Sequence, residues 1–412
     1  MLRFAMNRIQ VCRSCKSSDL HEVLSLGNLA FTGVFPSSPD EKVPYGQLEV
    51  VYCQECQLGQ LAHSFPADQL YGSNYGYRSG LNSSMVQHLV QISNNLESGL
   101  NLSDSDAVLD IGSNDGTLLN SYRNKKIKRV GIDPTISKFN EYYERDITQI
   151  ADFFTRDKVS QVCSFKFKII TSIAMFYDLE NPVDFAFDIA QLLEVDGYWY
   201  FEQSYAPWMI RTGAFDTICH EHLEYYSLAS IKAILDSVGL TVLEANINDV
   251  NGGSIAILAT KSSNRTPDWS VDWLLKEEEQ SGVNSLESWR SLGKTIEKRK
   301  QSLESLLEFS ARSGRPLYGL GASTKGNVLL QSLQLSSKEI VAIGEVNSYK
   351  WGRFTPGSLI PIISENEVLD IPEKDLLVLP WHFKNTFLSK LANGSMRNRL
   401  IFPLPEVEVL NI

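Results

Sequence analysis

The sequence predicts an α/β protein built as three successive domains. These are a small zinc-binding unit over 1–70, a Rossmann-like doubly wound core over 71–260 and a second Rossmann-like domain over 261–412. Three observations carry this expectation. The chain has 412 residues, more than one ordinary hydrophobic core serves. Two C-x-x-C pairs lie near its amino terminus. Two strand–glycine–helix turns follow, one near residue 112 and one near 321, each inside its own alternation of strand and helix patterns.

Bulk composition narrows the class. Apolar residues make up 43% and charged residues 21%, as in an ordinary globular protein. A net charge of −11 argues against a general nucleic-acid binder, which would show a basic surface. It leaves room for a small phosphate-bearing substrate, since local fields decide there. No apolar run approaches the ~20 residues that span a bilayer. The start, Met1-Leu-Arg-Phe-Ala-Met-Asn-Arg-Ile9, lacks a long apolar stretch and a small-residue cleavage site, so no signal peptide is expected. A cytoplasmic protein, with no membrane or nucleic-acid partner and either monomeric or weakly dimeric, is the expectation. Four of the six cysteines are spaced for a metal, which suits a reducing compartment.

In the first domain, Cys12-Arg-Ser-Cys15 and Cys53-Gln-Glu-Cys56 stand about forty residues apart. Each pair places two thiolates on one tight turn, and two such turns complete a tetrahedral zinc site. All four ligands being cysteine leaves no position for water, so the site reads as structural. Leu48–Tyr52 between the pairs alternates like a strand. A small ribbon of this kind has little core, and the metal would contribute folding free energy directly.

The second domain follows the connecting stretch Tyr71-Gly-Ser-Asn-Tyr75-Gly-Tyr77-Arg-Ser79 and a helical pattern from Asn82 to Leu100. Asp106-Ala-Val-Leu-Asp110-Ile-Gly112-Ser-Asn114-Asp115-Gly116-Thr then reads as a buried strand, a glycine turn and a helix start. The dinucleotide fingerprint G-x-G-x-x-G is absent, because Ser113-Asn114 follows Gly112; a nicotinamide cofactor is disfavoured. The next strand, Arg129–Asp133, ends in an acid 21 residues after Gly112, where a carboxylate commonly accepts ribose hydroxyls. S-adenosylmethionine fits better. Its site would be Asp110, Gly112, Asn114, Asp115 and Gly116 at the turn, Asp133, and Asp152 with Phe153 at the third strand end. Ser172, closing a fourth strand over Phe167–Ser172, and Ser79 of the connecting stretch complete the set. A fifth strand is expected over Tyr198–Gln203, and another over Gly253–Leu258.

Residues 215–227, Phe-Asp-Thr-Ile-Cys-His-Glu-His-Leu-Glu-Tyr-Tyr-Ser, put Cys219, His220, Glu221 and His222 in consecutive positions of a chain with six histidines. Imidazole titrates near neutrality and is the most frequent protein general base, and a nearby carboxylate can orient it. Proton abstraction beside a bound cofactor is the chemistry this pattern suggests, with His222 the preferred base. The bland alternative is a structural hydrogen-bond cluster.

In the third domain a polar break around Ser262–Asp268 precedes a long helical region from Asp272 to Ser313, read as one solvated helix packed on one face. Arg315–Gly326 then repeats the strand–glycine–helix logic. Its backbone amides, with Ser323, Lys325 and Asn327, could bind a pyrophosphate. Further strands are expected at Ile340–Gly344, Leu376–Leu379 and Arg399–Phe402. His382, between Trp381 and Phe383 after a strand end, would line the same cleft, and Arg353 is a candidate second cation for the diphosphate.

Taken together, the paired C-x-x-C, Asp110-Ile-Gly-Ser-Asn-Asp-Gly116, the 215–227 segment, Gly319-Leu-Gly-Ala-Ser-Thr-Lys-Gly-Asn327 and Glu345-Val-Asn347 resemble the nucleotide-sugar C-methyltransferases, over nearly the whole chain. The resemblance implies a class I (Rossmann-like) methyltransferase core between a zinc-binding domain and a Rossmann-like domain that helps hold the nucleotide sugar. It also implies S-adenosylmethionine as methyl donor, a structural zinc, and a TDP-linked 4-keto-hexose methylated on a carbon beside the ketone. By its match to the family's base, His222 would remove the proton at carbon 3, with Glu221 holding the imidazole or polarising the carbonyl. The family carries Tyr where this chain has Cys219 and His where Tyr177 falls. Either the substrate differs or Tyr177 and Tyr77 share that duty. An O-methyltransferase, a C-methyltransferase of another activated carbonyl and a non-catalytic nucleotide-sugar binder are the alternatives.

Overall fold

The structure is a computed structural model that describes residues 8–71, 76–262, 264–391 and 398–412. Met1–Asn7, residues 72–75 of the connecting stretch and Ser263 of the polar break lie outside the described residues.

Three sheets divide the chain. The first is antiparallel and opens with β1 (Leu20–Ala30), β2 (Tyr45–Cys53) and β3 (Gly59–Leu61). The second contains β4 (Ala107–Ile111), β5 (Lys128–Ile132), β6 (Thr148–Ile150), β7 (Phe167–Ile173) and β8 (Leu193–Ser204). The short β9 (Glu224–Tyr225) then returns to the first sheet and pairs with β3, before β10 (Thr241–Asn248) and β11 (Ser254–Thr260) complete the second. Its order is β10-β11-β8-β7-β4-β5-β6, with β4 to β8 parallel and β11 antiparallel to β8. The chain therefore reverses direction across the sheet between β4 and β7, which is where ligands bind in doubly wound folds.

The third sheet is built from β12 (Leu317–Leu320), β13 (Ile343–Glu345), β14 (Ile362–Ser364), β15 (Asp375–Val378), β16 (Arg399–Phe402) and β17 (Glu408–Asn411). Their order, β14-β13-β12-β15-β16-β17, is parallel except for β17, the Rossmann arrangement with its crevice between β12 and β15.

Apolar runs explain these elements. β4 is buried along its whole length, as a central parallel strand must be. The helix Ser83–Gly99 covers one face with Met85, Leu89, Ile92 and Leu96, and Asn82 caps it by accepting from Ser84 N. The helices Pro182–Leu192, Leu228–Ser237 and Trp269–Ser281 cover the other face.

Two expectations need correction. The 272–313 region is not one helix. It is Trp269–Ser281 and Leu286–Arg312, broken at Gly282, whose φ of 58° is left-handed and ends the first helix. β2 does not alternate: Leu48–Cys53 is buried on both faces. The helix Leu286–Arg312 covers one side with Trp289, Leu292 and Ile296, while Cys53 joins the core of the second sheet. Gly59 has no room for a side chain there, since a Cβ would come within 2.3 Å of the Trp289 ring. The first domain is therefore wedged between the other two rather than appended. β1, β3, β9, β10, β14 and β17 had no counterpart in the sequence reading. Among the described residues no helix is long and apolar enough to cross a membrane.

Candidate active site

The four cysteines come together. Cys12 Sγ lies 3.5 Å from Cys56 Sγ and Cys15 Sγ 3.5 Å from Cys53 Sγ, and all four sulfurs fall within 4.8 Å of one another. A zinc tetrahedron with Zn–S bonds of about 2.3 Å has edges of about 3.8 Å, so this set fits the metal. Gln60 Nε2 donates to Cys12 Sγ at 3.1 Å, while its Oε1 accepts from Arg13 N at 2.9 Å. The hydrogen bond between Cys12 and Cys56 pulls the first thiol down and pushes the second up, as when one proton is shared between two sulfurs.

The glycine turn closes β4. Gly112 and Gly116 have φ of 74° and 76°, and Cβ atoms there would meet Met175 at 3.2 Å and the Tyr143 ring at 2.8 Å. Both positions therefore require glycine. Asp133 lies 8% exposed directly after β5 and accepts from Asn114 N at 3.0 Å and Thr135 N at 2.6 Å. Burial raises its carboxyl and that of Asp110, the latter to about 7, while Thr171 Oγ1 donates to Asp110 at 2.6 Å. Phe153 is exposed at the rim beside Asp152, whose carboxylate pairs with Lys158 at 2.7 Å. An acid at the second strand end and an open aromatic at the third suit a ribose and an adenine.

Asn114 and Asp115 also have another task. Asn114 Oδ1 accepts from Ser79 N at 2.9 Å, Asn114 Nδ2 donates to the Tyr77 carbonyl at 3.2 Å, and Asp115 Oδ2 accepts from Gly80 N at 2.9 Å. The segment 77–80 is thus strapped onto the turn, which places the backbone of Tyr77 and Ser79 beside it. Tyr77 remains 47% exposed. Ser172 is different: its hydroxyl is buried and accepts from Trp199 Nε1 at 3.0 Å, so it serves the core.

The 215–227 segment forms a short 3₁₀ turn, Phe215–Thr217, then an irregular loop leading into β9. Its residues separate into distinct roles. His220 is fully buried between Phe31 and Phe65, with ring centroids at 4.7 and 4.9 Å, and donates from Nε2 to the Gly46 carbonyl at 3.2 Å. Burial holds its proton affinity down to about 4, so it is a neutral packing residue. Glu221 does not hold the neighbouring imidazole. Its carboxylate accepts from Thr32 Oγ1 at 3.1 Å and from the Cys219 thiol, and burial raises it. Cys219 is wholly buried, and its thiol is pushed well up by burial first and by Glu221 and Asp178 next. It is neither a nucleophile nor a substitute for a phenol at the surface.

His222 is half-buried, and its Nδ1 donates to the Thr217 carbonyl at 2.8 Å. That bond selects the tautomer with Nδ1–H and leaves Nε2 as an acceptor, for which no partner occurs among the described residues. Burial, then the Lys325 charge, lowers this imidazole to about 3. Tyr177 packs on it, ring centroids 4.2 Å apart. Two residues before Tyr177, Met175 touches Gly112, so a three-residue run joins the glycine turn to the base candidate.

The third domain completes the site from the other side. Ser323 caps the helix Thr324–Ser332 by accepting from Gly326 N at 3.0 Å. Lys325 Nζ reaches back to the second domain and donates to the Asn251 carbonyl at 2.6 Å. A small cavity is lined by Lys325, Asn251, Asp216, Thr217 and Trp381, and the indole of Trp381 donates to Asp216 Oδ2 at 2.8 Å. His382 stands next to it, its Nδ1 buried without a partner among the described residues and its proton affinity lowered by burial and by Lys325. Two expected diphosphate ligands are engaged elsewhere. Asn327 is fully buried and donates to the Thr32 carbonyl at 2.7 Å, which ties the first and third domains. Arg353 Nη1 donates to the Phe35 carbonyl at 3.1 Å and Nε to the Tyr349 carbonyl at 3.2 Å. Sequence reasoning missed Asp216, the Thr217 carbonyl and Asn251. The first two lie inside the 215–227 segment, but a main-chain acceptor leaves no trace in residue type.

Three family profiles match the chain: a "Putative zinc binding domain" over 12–71, a methyltransferase domain over 85–245 and a C-methyltransferase C-terminal domain over 249–405. The chain is 28% identical over 412 residues to C-methyltransferase NovU of Streptomyces niveus, covering 98% of this chain and 97% of that protein. Among solved structures, magnesium protoporphyrin IX methyltransferase (ChlM) from Synechocystis PCC 6803, determined with bound SAH, is 13% identical. That match covers 44% of this chain and 88% of the other at a TM-score of 0.35. The plantazolicin methyltransferase BpumL is 14% identical over 42% of this chain and 83% of its own, at a TM-score of 0.33.

Proposed function

We propose that this chain, which its three matched domains assign to the C-methyltransferases using S-adenosylmethionine, methylates carbon 3 beside the ketone of a nucleotide-linked 4-keto-deoxysugar. His222 is the base. The observation that carries this reading is the bond from His222 Nδ1 to the Thr217 carbonyl, which orients the ring and leaves the Nε2 lone pair of the neutral imidazole free. A carbon-bound hydrogen next to a ketone is acidic enough to be removed by such a base when the resulting oxyanion is stabilised.

S-adenosylmethionine, held by the Gly112–Gly116 turn with Asp133 and Phe153, supplies a methyl group on an electrophilic sulfonium. The chain's own part is to orient and to move a proton. Tyr177 packs against the imidazole and limits its rotation. Glu221, bonded to Thr32, anchors the loop against the first domain rather than acting on the ring. The zinc site contributes in the same way: β9, two residues beyond His222, pairs with β3 of the cysteine domain. The pyrophosphate falls to the glycine turn at Gly321 and to Ser323.

The test is a screen of TDP-, GDP- and UDP-linked 4-keto-6-deoxyhexoses with S-adenosylmethionine, read by mass spectrometry for gain of one methyl. A product whose new methyl maps to carbon 3 by NMR supports the reading. Methyl ether formation on every substrate turned over would replace it with O-methylation.

A further inference from the structure

We propose that Lys325 is the electrophile of the reaction: its ammonium takes up the negative charge of the substrate oxygen while His222 removes the proton from the adjacent carbon. This rests on the keto-sugar reading above and reassigns a lysine whose sequence context pointed to a pyrophosphate.

Position is the first argument. Lys325 lies one residue into the helix Thr324–Ser332, yet it points across the domain boundary rather than toward the glycine turn that precedes it. Its Nζ donates to the Asn251 carbonyl at 2.6 Å, and Asn251 sits at φ 54° in the loop before β11. An ammonium has three protons, and this is its one hydrogen bond among the described residues. Two donors are therefore left, and Lys325 lines a small cavity together with Thr217, the residue whose carbonyl holds His222.

Charge is the second. The titratable groups that interact with the Lys325 charge are Asp216, Cys219, His222 and His382, and of these Asp216 is the carboxylate. Asp216 is itself buried, accepts from Trp381 and has an Oδ1 without a partner among the described residues. A cation enclosed by protein and two imidazoles is poorly compensated and gains from any developing anion. Burial first, and the Lys325 charge after it, lowers the proton affinity of both imidazoles.

The chemistry needs both signs in one place. His222 Nε2 takes the proton from carbon 3, and the C–H electron pair becomes the carbon 3–carbon 4 double bond. The carbonyl pair moves onto oxygen, where Lys325 donates a hydrogen bond. No oxidant or further reactant is required. Removing one such preorganised donor typically costs about 10²–10³ in rate.

The test compares the unsubstituted enzyme with Lys325→Met, which keeps the aliphatic stem, and Lys325→Arg. One arm follows exchange of the carbon 3 hydrogen of TDP-4-keto-6-deoxyglucose in D2O, with S-adenosylhomocysteine added so that methyl transfer cannot intervene. The expected result is a loss of about 10²-fold in maximal exchange rate for Lys325→Met, partial recovery for Lys325→Arg and little change in KM. A rise in KM with unchanged maximal rate would make the lysine a diphosphate ligand and overturn the proposal. The second arm needs no substrate: 15N-histidine NMR titration should show His222 and His382 taking up protons at higher pH in Lys325→Met. Unmoved titrations would remove the lysine from the site. If the unsubstituted enzyme fails to exchange any keto-sugar while the titrations move, the substrate reading fails and the charge geometry stands. If they do not move either, both fall.

Discussion

His222 and Thr217 are joined by a 2.8 Å hydrogen bond from an imidazole Nδ1–H to a main-chain carbonyl five residues earlier. A carbonyl cannot ionise or swing away, so the tautomer is set by the turn itself. The ring needs no carboxylate partner. His222→Asn should therefore retain S-adenosylmethionine binding and lose turnover by about 10²–10⁴. Isothermal titration and product mass spectrometry measure the two separately. Turnover near that of the unsubstituted enzyme would remove His222 from its role.

His220, by contrast, should report on stability. Its folded proton affinity is lowered to about 4 by burial against an unfolded value near 6.5. The unfolded state therefore binds the proton first. The contribution of a neutral His220 is complete above pH 6.5 and is lost as pH falls toward 4, reaching about 3 kcal/mol. His220→Gln keeps a donor for Gly46 and does not titrate. Urea unfolding of both proteins at pH 7 and pH 5 should show the unsubstituted chain losing stability relative to the variant, and a pH-independent difference would contradict the assignment.

Gly33 tests the contact between the first domain and the 215–227 loop. A Cβ there would sit 2.6 Å from Glu221 Oε1, whose carboxylate is already held by Thr32. Gly33→Ala should cost about 1–3 kcal/mol and lower activity, because the carboxylate has to give way. Gly99→Ala is the control: nothing lies within 4 Å of its Cβ position at the end of the helix Ser83–Gly99, and a gain of about 0.5 kcal/mol is expected. Thermal unfolding distinguishes the two, and equal shifts would refute the contact.

Zinc should be bound at about one ion per chain and be needed for more than local order. Cys12 and Cys53 belong to the same buried cluster as Leu109, Phe176 and Tyr226, which surround the methyltransferase core. Cys53→Ser, or treatment with a strong chelator, should lower the melting temperature and abolish methyl transfer together. Metal analysis with calorimetry reads this. A metal-free protein with unchanged melting and activity would separate the cysteines from the site.

Much of this was legible in residue order. Both glycine turns, the paired cysteines and the strands β4, β5, β7, β12 and β16 follow from apolar runs and punctuation, which are local. β10 ends in polar residues and β9 is two residues long, so neither carries enough local pattern to be read. The 272–313 region read as continuous because charged and leucine residues crowd both ends of it, yet Gln280–Ser285 between them carries neither; left-handed Gly282 ends the first helix and Ser285 caps the second.

Sequence alone determined which chemical groups are present: four thiols at metal spacing, a strand–helix turn with glycine at two points, and a histidine pair beside a carboxylate. Tertiary structure decided which of them stay available to a ligand. His220 and Asn327 became packing and tether because burial satisfied or neutralised them. His222 and Lys325 kept free lone pairs or protons because their partners, Thr217 for one and the Asn251 carbonyl for the other, engage only part of what each ring or ammonium can offer. A residue type specifies what a side chain can donate or accept; only its neighbours in space determine how much of that capacity is left for a ligand.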